Sequence, residues 1–462
     1  MKHNYTIKRT LSAMFLLMMS TLSWAYDFEA DGIYYNLLSA TEVEVTSEGS
    51  NSYSGDIVIP STVTYGTRTF SVTSIGESAF YYCSSLTSVS IPNSVTTIGK
   101  SAFNKCNSLT SVSIPNSVTT IGRSAFSGCY SLTSISIPNS VTTIGEYAFE
   151  YCSSLTSVAI PNSVTTIGGY AFCNCFSLAS VTIPNSVTTI GGYAFGWCSS
   201  LISATIPNSV TTIEGYAFYK CSNLTSVTIG NSVATIGKYA FYECSSLTSV
   251  TIPNSVTTIE NSAFYGCSSL TSVTIPNSVT TIGGYAFYRC RSLTSVSIPN
   301  SVTTIGNSAF YECNSLTSAT IGNSVTTIEL FAFKGCSSLT SVTIPNSVTT
   351  ISLSAFEGCS SITDITSLAT TPPTCSENAF SDISVLLCTL HVPKGCAEAY
   401  KQAEQWERFL FIEEDAPVTA IETISPDIEA ESSTYYTIDG VQVDNPTHKG
   451  IYIRNGKKIL IK

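Results

Sequence analysis

Apolar and polar positions recur along most of this chain with one fixed period. The unit reads I-G-x-x-A-F-x-x-C-x-S-L-T-S-V-x-I-P-N-S-V-T-T, as in residues 98–120. Its cysteine recurs every 23 residues, at Cys83, Cys106, Cys129, Cys152, Cys175, Cys198, Cys221, Cys244, Cys267, Cys290, Cys313, Cys336 and Cys359. Such a repeat predicts coils that stack and share one core, because a single coil cannot bury its own apolar side chains. We predict a solenoid of thirteen coils over residues 72–362.

Within each unit, the pattern predicts a strand followed by a return path. Leu109, Val112 and Ile114 have the L-x-x-L-x-L spacing of an inward-facing strand. Ser111 and Ser113 lie between them and are expected on the outer face, because successive side chains of a strand alternate. The expected inward positions of the return path are Val118, Ile121, Ala125, Phe126 and Cys129. We expect the last three to form one helical turn, with Gly122 providing the bend before it.

Polar turn residues recur as regularly as the apolar ones. An asparagine follows the strand in twelve units, from Asn93 to Asn346. Its amide can bond only its own loop, or it can join neighbouring coils in a ladder, which is the reading we favour. Gly230 and Gly322 replace the proline that ends the strand elsewhere. We expect that change to be tolerated because the position needs only a residue that ends the strand.

The segments on either side of the repeats depart from the pattern and are expected to cap the open core. Residues 26–71 predict an N-terminal β-cap. Residues 363–412 predict a mixed α/β C-terminal cap, with a strand near 385–392 and a helix over 397–408. In that helix Tyr400 and Trp406 are placed to seal the last coil, although a ligand-binding role is the alternative for Trp406.

The repeat unit resembles the BspA-like (Treponema-type) leucine-rich repeat family. Asp31-Gly32-Ile33-Tyr34-Tyr35 resembles the N-terminal cap of that family, and Leu390-His391-Val392-Pro393-Lys394-Gly395 resembles its C-terminal cap. The resemblance implies a curved leucine-rich repeat array with one parallel β-sheet. It also implies a secreted or cell-surface bacterial protein that adheres to host or bacterial proteins.

The two ends of the chain predict export. A basic start, a short apolar run and Ser23-Trp24-Ala25 are typical of a signal peptide over residues 1–25, with a buried helix as the alternative. Residues 413–431 are acidic and predict a linker. Residues 432–462 predict a small β-module of two hairpins with turns at Asp439-Gly440 and Asn455-Gly456. This module resembles the C-terminal sorting domains read by the type IX secretion machinery, and a β-module without a sorting role is the alternative.

Composition narrows the chemistry. Only 11% of residues are charged, the formal net charge is −11, and the sequence pI is about 4.8. An acidic chain repels phosphate backbones, so nucleic-acid binding is not expected. No histidine lies within the repeats, which argues against histidine-based catalysis or metal sites there. Glu214 and Glu260 replace the bend glycine two coils apart, but no other catalytic group accompanies them. We predict no enzyme activity, cofactor, metal or transmembrane segment in the exported chain.

The chain contains 17 cysteines. Those of the repeats occupy the position of a small buried hydrophobe, so reduced core thiols are favoured over disulfides between coils. Cys173 is additional to the repeat and is expected on the outer side of its coil. Cys375, Cys388 and Cys396 lie in the C-terminal cap, where one disulfide is an open alternative.

A row of aromatic residues is the candidate binding surface. Five successive coils carry tyrosine at one position, with a tryptophan beside the row: Tyr147, Tyr170, Tyr193, Tyr216, Tyr239 and Trp197. These rings either pack the outer side of each coil or contact extracellular proteins, with glycans as a second ligand class. We predict a non-enzymatic, multivalent binding scaffold, most simply an adhesin. The alternatives are a structural spacer without a ligand and an enzyme that uses His391 of the cap as its base.

Overall fold

The computed structural model describes residues 26–416 and four strands of the tail, at 435–437, 442–443, 450–454 and 457–461. The predicted signal peptide and most of the predicted linker lie outside these residues. The chain divides into two compact units, Met1–Leu293 and Thr294–Lys462, which are described in turn. Both are built from 23-residue coils with parallel strands, which confirms the predicted repeat solenoid.

The predicted strand forms a parallel ladder in the first unit. Its members are β7 (Leu86–Ser90), β9 (Ser111–Ser113), β11 (Ser134–Ser136), β13 (Ser157–Ala159), β15 (Ser180–Thr182), β17 (Ser203–Thr205), β19 (Ser226–Thr228), β21 (Ser249–Thr251) and β23 (Ser272–Thr274). Each residue pairs with the residue one repeat away, as Ser134 pairs with Ser111 and Ser157. The central Val112 is buried while Ser111 and Ser113 are exposed, so the predicted inward and outward sets are confirmed.

A second parallel ladder, which the sequence analysis did not predict, runs along the return path. It consists of β8 (Thr97–Ile98), β10 (Thr120–Ile121), β12 (Thr143–Ile144), β14 (Thr166–Ile167), β16 (Thr189–Ile190), β18 (Thr212–Ile213), β20 (Thr235–Ile236), β22 (Thr258–Ile259) and β24 (Thr281–Ile282). In each strand the isoleucine is buried and the threonine is partly or fully exposed, as in Thr120 and Ile121. The second ladder fixes the spacing of the coils on another side of the core.

The third side of each coil is a chain of turns, so the predicted helical turn is wrong. Ala125, Phe126 and Cys129 are fully buried as expected. However, the N–H of Phe126 donates to the carbonyl of Ala148 in the next coil at 2.8 Å. The intervening backbone groups bond within the coil, and Ser124 takes a positive φ of 55°. Alternate N–H groups therefore point along the stack, which a helix does not allow.

Phenylalanines and cysteines form the centre of the core. The Phe126 and Phe149 rings stack at 5.4 Å with an interplanar angle of 4°, and the same contact recurs from coil to coil. The Cys129 thiol donates to the carbonyl of Phe103 in the preceding coil at 3.1 Å. All 17 cysteines are free thiols, and burial raises the pKa of Cys83 to about 11. The repeat cysteine is thus a buried hydrogen-bond donor, as well as a small hydrophobe.

One expectation about the cysteines needs correction, and the structure also bears on one alternative that the sequence left open. Cys173 is 1% exposed and is not on the outer side of its coil. It lies close to Gly196 of the next coil, where an added Cβ would be 3.6 Å from the Cys173 sulfur, an ordinary contact distance. In the cap, Cys375, Cys388 and Cys396 are free, so the disulfide that was left open does not form in this structure.

Serines, more than asparagines, connect the turns of successive coils. The Ser163 hydroxyl donates to the Val141 carbonyl at 2.6 Å, and the contact recurs in both units. In the described part of the chain, the asparagines that follow the long-ladder strand join coils through their side chains at two junctions, where the N–H of Asn231 bonds Asn208 Oδ1 (2.7 Å) and that of Asn323 bonds Asn300 Oδ1 (2.8 Å). An extended asparagine ladder is therefore wrong.

Both asparagine junctions occur where glycine replaces the usual proline. A Cβ added to Gly230 would lie 2.5 Å from the Pro207 carbonyl oxygen, so a side chain does not fit at this separation. The close approach also allows the Ile206 N–H to bond the Thr228 carbonyl at 2.9 Å. Gly230 thus does more than end a strand, contrary to our expectation, because it permits two additional bonds between coils.

The N-terminal residues form the expected β-cap. Its strands are β1 (Phe28–Ala30), β2 (Ile33–Leu37), β3 (Glu42–Thr46), β4 (Gly55–Val58), β5 (Thr62–Tyr65) and β6 (Arg68–Ile75). β1–β2, β2–β3 and β5–β6 pair antiparallel. β4 adds to the long ladder beside β7, while β6 adds to the short ladder beside β8. The Tyr53 ring packs on Phe80 at 4.6 Å and covers the first phenylalanine of the core.

The second unit continues the same architecture to its own cap. Its long-ladder strands are β25 (Ser295–Ser297), β27 (Ser318–Thr320), β29 (Ser341–Ile344), β31 (Asp364–Ser367), β33 (Thr389–His391) and β34 (Phe411–Glu413). Its short-ladder strands are β26 (Thr304–Ile305), β28 (Thr327–Ile328), β30 (Thr350–Ile351) and β32 (Thr374–Cys375). Glu413, the first residue of the predicted linker, therefore belongs to a strand.

The predicted cap helix is shorter than expected. Helix α1 (Ala397–Lys401) is followed by a separate 3₁₀ turn at Trp406–Arg408. Tyr400 and Trp406 are fully buried, and Trp406 lies 4.9 Å from the ring of Phe380. Its indole N–H donates to the Pro373 carbonyl at 2.8 Å. Both aromatic residues therefore cover the last coil, which confirms the packing interpretation of Trp406.

The described residues of the tail form a four-stranded sheet of β35 (Tyr435–Thr437), β36 (Gln442–Val443), β37 (Gly450–Arg454) and β38 (Lys457–Ile461). β35 pairs antiparallel with β36, and β37 with β38, as the two predicted hairpins require. β35 also pairs with β37, which joins the hairpins. The predicted Asp-Gly and Asn-Gly turns lie outside the described residues.

Candidate binding surfaces

The five tyrosines proposed from the sequence lie in one continuous stack, which we call the tyrosine row. Successive ring centroids are 4.7, 4.6, 4.3 and 4.6 Å apart from Tyr147 to Tyr239, with interplanar angles of 12° to 23°. Each ring is half-buried. Because each ring covers the faces of its neighbours, the accessible parts are the ring edges and the hydroxyl groups.

An unusual backbone conformation positions these rings. All five tyrosines of the row have backbone φ values between 56° and 63°. Residues other than glycine rarely adopt this left-handed region. The N–H of Tyr147 donates to the Gly169 carbonyl of the next coil at 2.9 Å. Bonds of this kind along the stack offset the local strain and give every ring the same orientation.

Cations cover the two ends of the tyrosine row. The Arg123 guanidinium lies 5.2 Å from the Tyr147 ring centre, and the Lys238 ammonium lies 5.0 Å from that of Tyr239. Burial and the neighbouring phenols raise the pKa of Tyr193. Its phenol therefore stays neutral and can donate a hydrogen bond at physiological pH.

Trp197 connects the tyrosine row to a second stack. It lies parallel to Tyr193 at 5.8 Å and meets the ring of Tyr219 edge-on at 4.8 Å. The second stack continues from coil to coil through Tyr219, Tyr242, Tyr265 and Tyr288. The structure therefore brings all six proposed residues together, and extends them into a larger aromatic surface of the first unit.

The sequence analysis missed a different set of exposed aromatic residues. Tyr130, Tyr151 and Phe176 are between 41% and 43% exposed, and together with Trp197 they lie beside the repeat cysteines of four successive coils. We call these four residues the staggered row. The sequence signal for Tyr130, Tyr151 and Phe176 is that they stand at positions where most coils have small or charged residues.

The cap histidine lies among carboxylates. His391 Nδ1 is 2.7 Å from Asp415 and 4.0 Å from Glu413, while Nε2 is 3.4 Å from Asp364. Partial burial lowers its pKa, but the hydrogen bonds to Asp415 and Asp364 outweigh burial and raise the pKa above its ordinary value. The ligand atoms of His391, Glu413 and Asp415 lie within 4.8 Å of one another. Both ring nitrogens of His391 already have hydrogen-bond partners, in Asp415 and Asp364.

The glutamates that replace the bend glycine do not converge. Glu260 Oε2 accepts the backbone N–H of Lys238 at 2.8 Å, and Glu214 is exposed to solvent.

Within the part of the chain that the structure describes, no helix reaches the length and apolarity that a bilayer crossing requires.

Comparison with known families agrees with this architecture. The model of the BspA type leucine rich repeat region matches in six copies, over residues 73–202, 188–314 and 280–403. The chain belongs to the BspA-type leucine-rich repeat family.

Solved structures of other leucine-rich repeat proteins are similar to this chain. A leucine-rich repeat protein from Bacteroides ovatus is 34% identical with a TM-score of 0.71, and the alignment covers 87% of this chain and 100% of that one. A leucine rich cell surface protein from Faecalibacterium prausnitzii is 28% identical with a TM-score of 0.41, covering 84% and 97%. The leucine rich repeat protein of T. pallidum is 28% identical with a TM-score of 0.35, covering 48% and 90%. No curated protein matches the sequence.

Leucine-rich repeat proteins of this kind generally serve as binding scaffolds. Their stacked coils hold side chains at fixed intervals on a rigid surface. For a BspA-type chain, the surfaces that depart from the repeat consensus are therefore the natural places to look for a ligand site.

Proposed function

We propose that the protein is a secreted or cell-surface bacterial scaffold, without enzyme activity, that adheres to extracellular host or bacterial proteins. The supporting observation is the tyrosine row with Trp197. Tyrosine and tryptophan dominate the energetics of protein interfaces, because they offer a large contact area at a small cost in side-chain entropy. In this row the stacked rings are already ordered, so binding requires little further loss of freedom.

Repetition adds to the effect of each contact. The row presents similar hydroxyl-tipped edges at intervals of less than 5 Å. A partner that contacts several coils gains from effective concentration, since each later contact is intramolecular. The family supports this interpretation, because leucine-rich repeat surface proteins are generally binding scaffolds.

Binding to immobilised extracellular-matrix proteins, serum proteins and bacterial cells tests the proposal. The test variant combines Tyr170→Ser, Tyr193→Ser and Tyr216→Ser, because Ser124 and Ser262 occupy the same position in other coils. The control variant combines Ser157→Ala, Ser180→Ala and Ser203→Ala on the outer face of the long ladder. We expect saturable binding that the tyrosine variant loses and the serine variant keeps.

Two results would contradict this proposal. The first is the absence of saturable binding by the wild-type protein to any of these targets. The second is equal binding by the tyrosine variant. A protein that fails to bind, but whose assembly role changes in proportion to the number of coils, would instead be a structural spacer.

The route to the cell surface is part of the same proposal. Residues 1–25 would direct export, and the tail sheet would act as a sorting module of the type IX kind. The basic character of residues 432–462, with five cations and two acids, distinguishes this module from the acidic chain. Mass spectrometry of the exported protein should find a new N-terminus near residue 26, and an intact signal peptide would contradict the export proposal.

A further inference from the structure

The staggered row places one aromatic ring on each of four successive coils, and three of these rings are exposed while Trp197 is half-buried. Tyr130 and Phe176 directly follow the repeat cysteines of their coils, whereas Tyr151 and Trp197 directly precede theirs. The rings therefore alternate between two positions of the repeat, which lie two residues apart. Ile202, which is 55% exposed, adds an apolar side chain in the coil of Trp197.

The apolar residues of this row replace polar ones. The residue after the repeat cysteine is Ser, Asn or Arg in every coil except those of Tyr130 and Phe176. The residue before it is aromatic in one further coil, at Tyr82, and there the Lys105 ammonium lies 4.3 Å from the ring centre. The repeat itself therefore does not require these rings, and their side chains contribute exposed apolar surface where the consensus has little.

Ring orientation separates this surface from the tyrosine row. In the tyrosine row the faces are covered by neighbouring rings. Within residues 26–416, the rings of Tyr130, Tyr151 and Phe176 make no stacking contact with another aromatic ring, and each is about two-fifths exposed. No aromatic neighbour in that range covers these three rings, so part of each is accessible to a ligand, and aromatic rings are suited to the C–H surface of a sugar.

The spacing of the coils fits a linear ligand. In this part of the first unit the stacked phenylalanines of the core are 5.4, 5.3 and 5.5 Å apart. This interval is close to the length of one hexose in an extended β-1,4-linked chain. Such a chain lying along the row would present about one sugar residue, and one aromatic ring, to each coil.

Polar groups border the row at its Trp197 end. Trp197 lines a shallow cavity of about 390 Å³, together with Ser199, Lys220 and Glu243. The Lys220 ammonium and the Glu243 carboxylate are paired at 3.3 Å, so this end has no local excess of charge. An aromatic platform beside paired polar groups provides both the stacking surface and the hydrogen-bonding partners that a neutral sugar needs.

Serine hydroxyls add acceptors between the rings. Ser153 donates to the Tyr130 carbonyl at 3.3 Å, and Ser199 donates to the Phe176 carbonyl at 3.4 Å. Because each hydroxyl uses its proton in this way, its oxygen can still accept a hydrogen bond from a sugar hydroxyl.

We propose that the staggered row binds a neutral, extended β-1,4-linked glycan, with one sugar residue on each of the four coils. This site meets the tyrosine row at Trp197, which stacks on Tyr193, but its other three rings lie outside that row, and the proposal does not depend on the proposed adhesion to proteins. Stacking provides the affinity, and the serines and the Lys220–Glu243 pair provide orientation.

Isothermal titration of the full-length protein with cello- and chito-oligosaccharides of increasing length tests the proposal. We expect saturable binding whose affinity rises up to the tetrasaccharide and then changes little. Maltohexaose, which is α-linked and does not adopt the extended form, should not bind.

The test variant is Tyr130→Ser combined with Phe176→Ser, which restores the residue found in most other coils and should preserve the fold. We expect a loss of affinity of about tenfold for each ring removed. The matched control is Tyr147→Ser combined with Tyr170→Ser, which alters the tyrosine row and should leave glycan binding unchanged. Circular dichroism and thermal unfolding of each variant verify that the solenoid remains folded.

The proposal is overturned if the wild-type protein binds neither oligosaccharide series, or if the Tyr130/Phe176 variant binds them as well as wild type does. Loss of binding to an extracellular protein in that variant, without any glycan binding by wild type, would assign the row to a protein partner and would also overturn it. Failure of the tyrosine-row variant to lose protein binding concerns only the adhesion proposal, so the two results can be distinguished.

Discussion

At the scale of single residues, backbone hydrogen bonds between coils explain features of the structure that the pattern of side chains does not. The period of 23 placed every core position correctly, because burial of Leu, Val, Ile, Phe and Cys follows from the need to cover each coil with the next. It did not predict that tyrosines occupy the left-handed region, since that conformation arises from bonds between coils, such as that from Tyr147 to Gly169. The same bonds make the tyrosine row a fixed surface.

The asparagines show where residue-level prediction failed. The twelve asparagines look equivalent in sequence, yet Asn208 bonds the following coil only because Gly230 allows a close approach. The sequence marks that position by the loss of a proline. Its consequence depends on a distance between two backbones, which composition and periodicity do not contain.

Substitution of Asn208 tests this explanation. Asn208→Ala removes the acceptor of the Asn231 N–H and should lower the free energy of unfolding by about 1 kcal/mol. Asn185→Ala is the matched control, because the coil that follows it has Pro207 and keeps the ordinary separation. Urea unfolding of both variants measures the difference, and equal destabilisation by the two would contradict the role assigned to Gly230.

At the scale of elements, the sequence predicted the strand of the long ladder, in which buried and exposed residues alternate. It did not predict the strands of the second ladder or the turns. The long ladder carries an L-x-x-L-x-L pattern, whereas the strands of the second ladder have only two residues each and no alternation to detect. The turns around Phe126 were mistaken for a helix because three apolar residues lie close together there. Their hydrogen bonds to the next coil, visible only in three dimensions, decide the conformation.

The last strands of the C-terminal cap are joined by a titrating side chain. His391 of β33 lies between Asp364 of β31 and two acids on the other side, Glu413 at the end of β34 and Asp415 just after it. The folded-state pKa of His391 is raised, so the folded protein binds the imidazole proton more tightly than the unfolded chain does. Its contribution to stability is therefore present below the ordinary histidine pKa of about 6.5 and is lost as the pH rises through the folded-state pKa.

The expected result is a pH-dependent difference between wild type and His391→Gln. The free energy of unfolding should favour wild type near pH 6, and this advantage should shrink as the pH rises above the folded-state pKa. The chain also contains His3 and His448, so the His391 imidazole resonance is identified by NMR as the one that the His391→Gln variant lacks. A difference that does not change with pH, or an imidazole pKa below about 6.5, would contradict the arrangement described here.

At the scale of the whole molecule, the fold followed from the repeat while the function did not. The regular period predicted stacked coils and capped ends, and the family comparison agrees. The candidate surfaces are the places where individual coils depart from the consensus, as Trp197 and Phe176 do. Such departures mark a site, but they do not by themselves specify its ligand, because the same aromatic residues serve proteins and glycans.

The central claim is that the coils are interchangeable units, each covering the apolar side of the next. Deleting residues 245–267 removes 23 residues and joins Cys244 to Ser268, which restores the repeat sequence. This variant should remain folded and unfold cooperatively, because every remaining coil keeps a neighbour in register. Deleting residues 245–256 alone removes one long-ladder strand and about half of a coil. This deletion should abolish cooperative unfolding in that region.

Urea unfolding followed by circular dichroism, applied to the two deletions beside wild type, is the most direct test of this account. The account predicts a native-like transition for the deletion of one whole coil, and a disrupted one for the half-coil deletion. A whole-coil deletion that fails to fold, or a half-coil deletion that folds as well as wild type does, would contradict it.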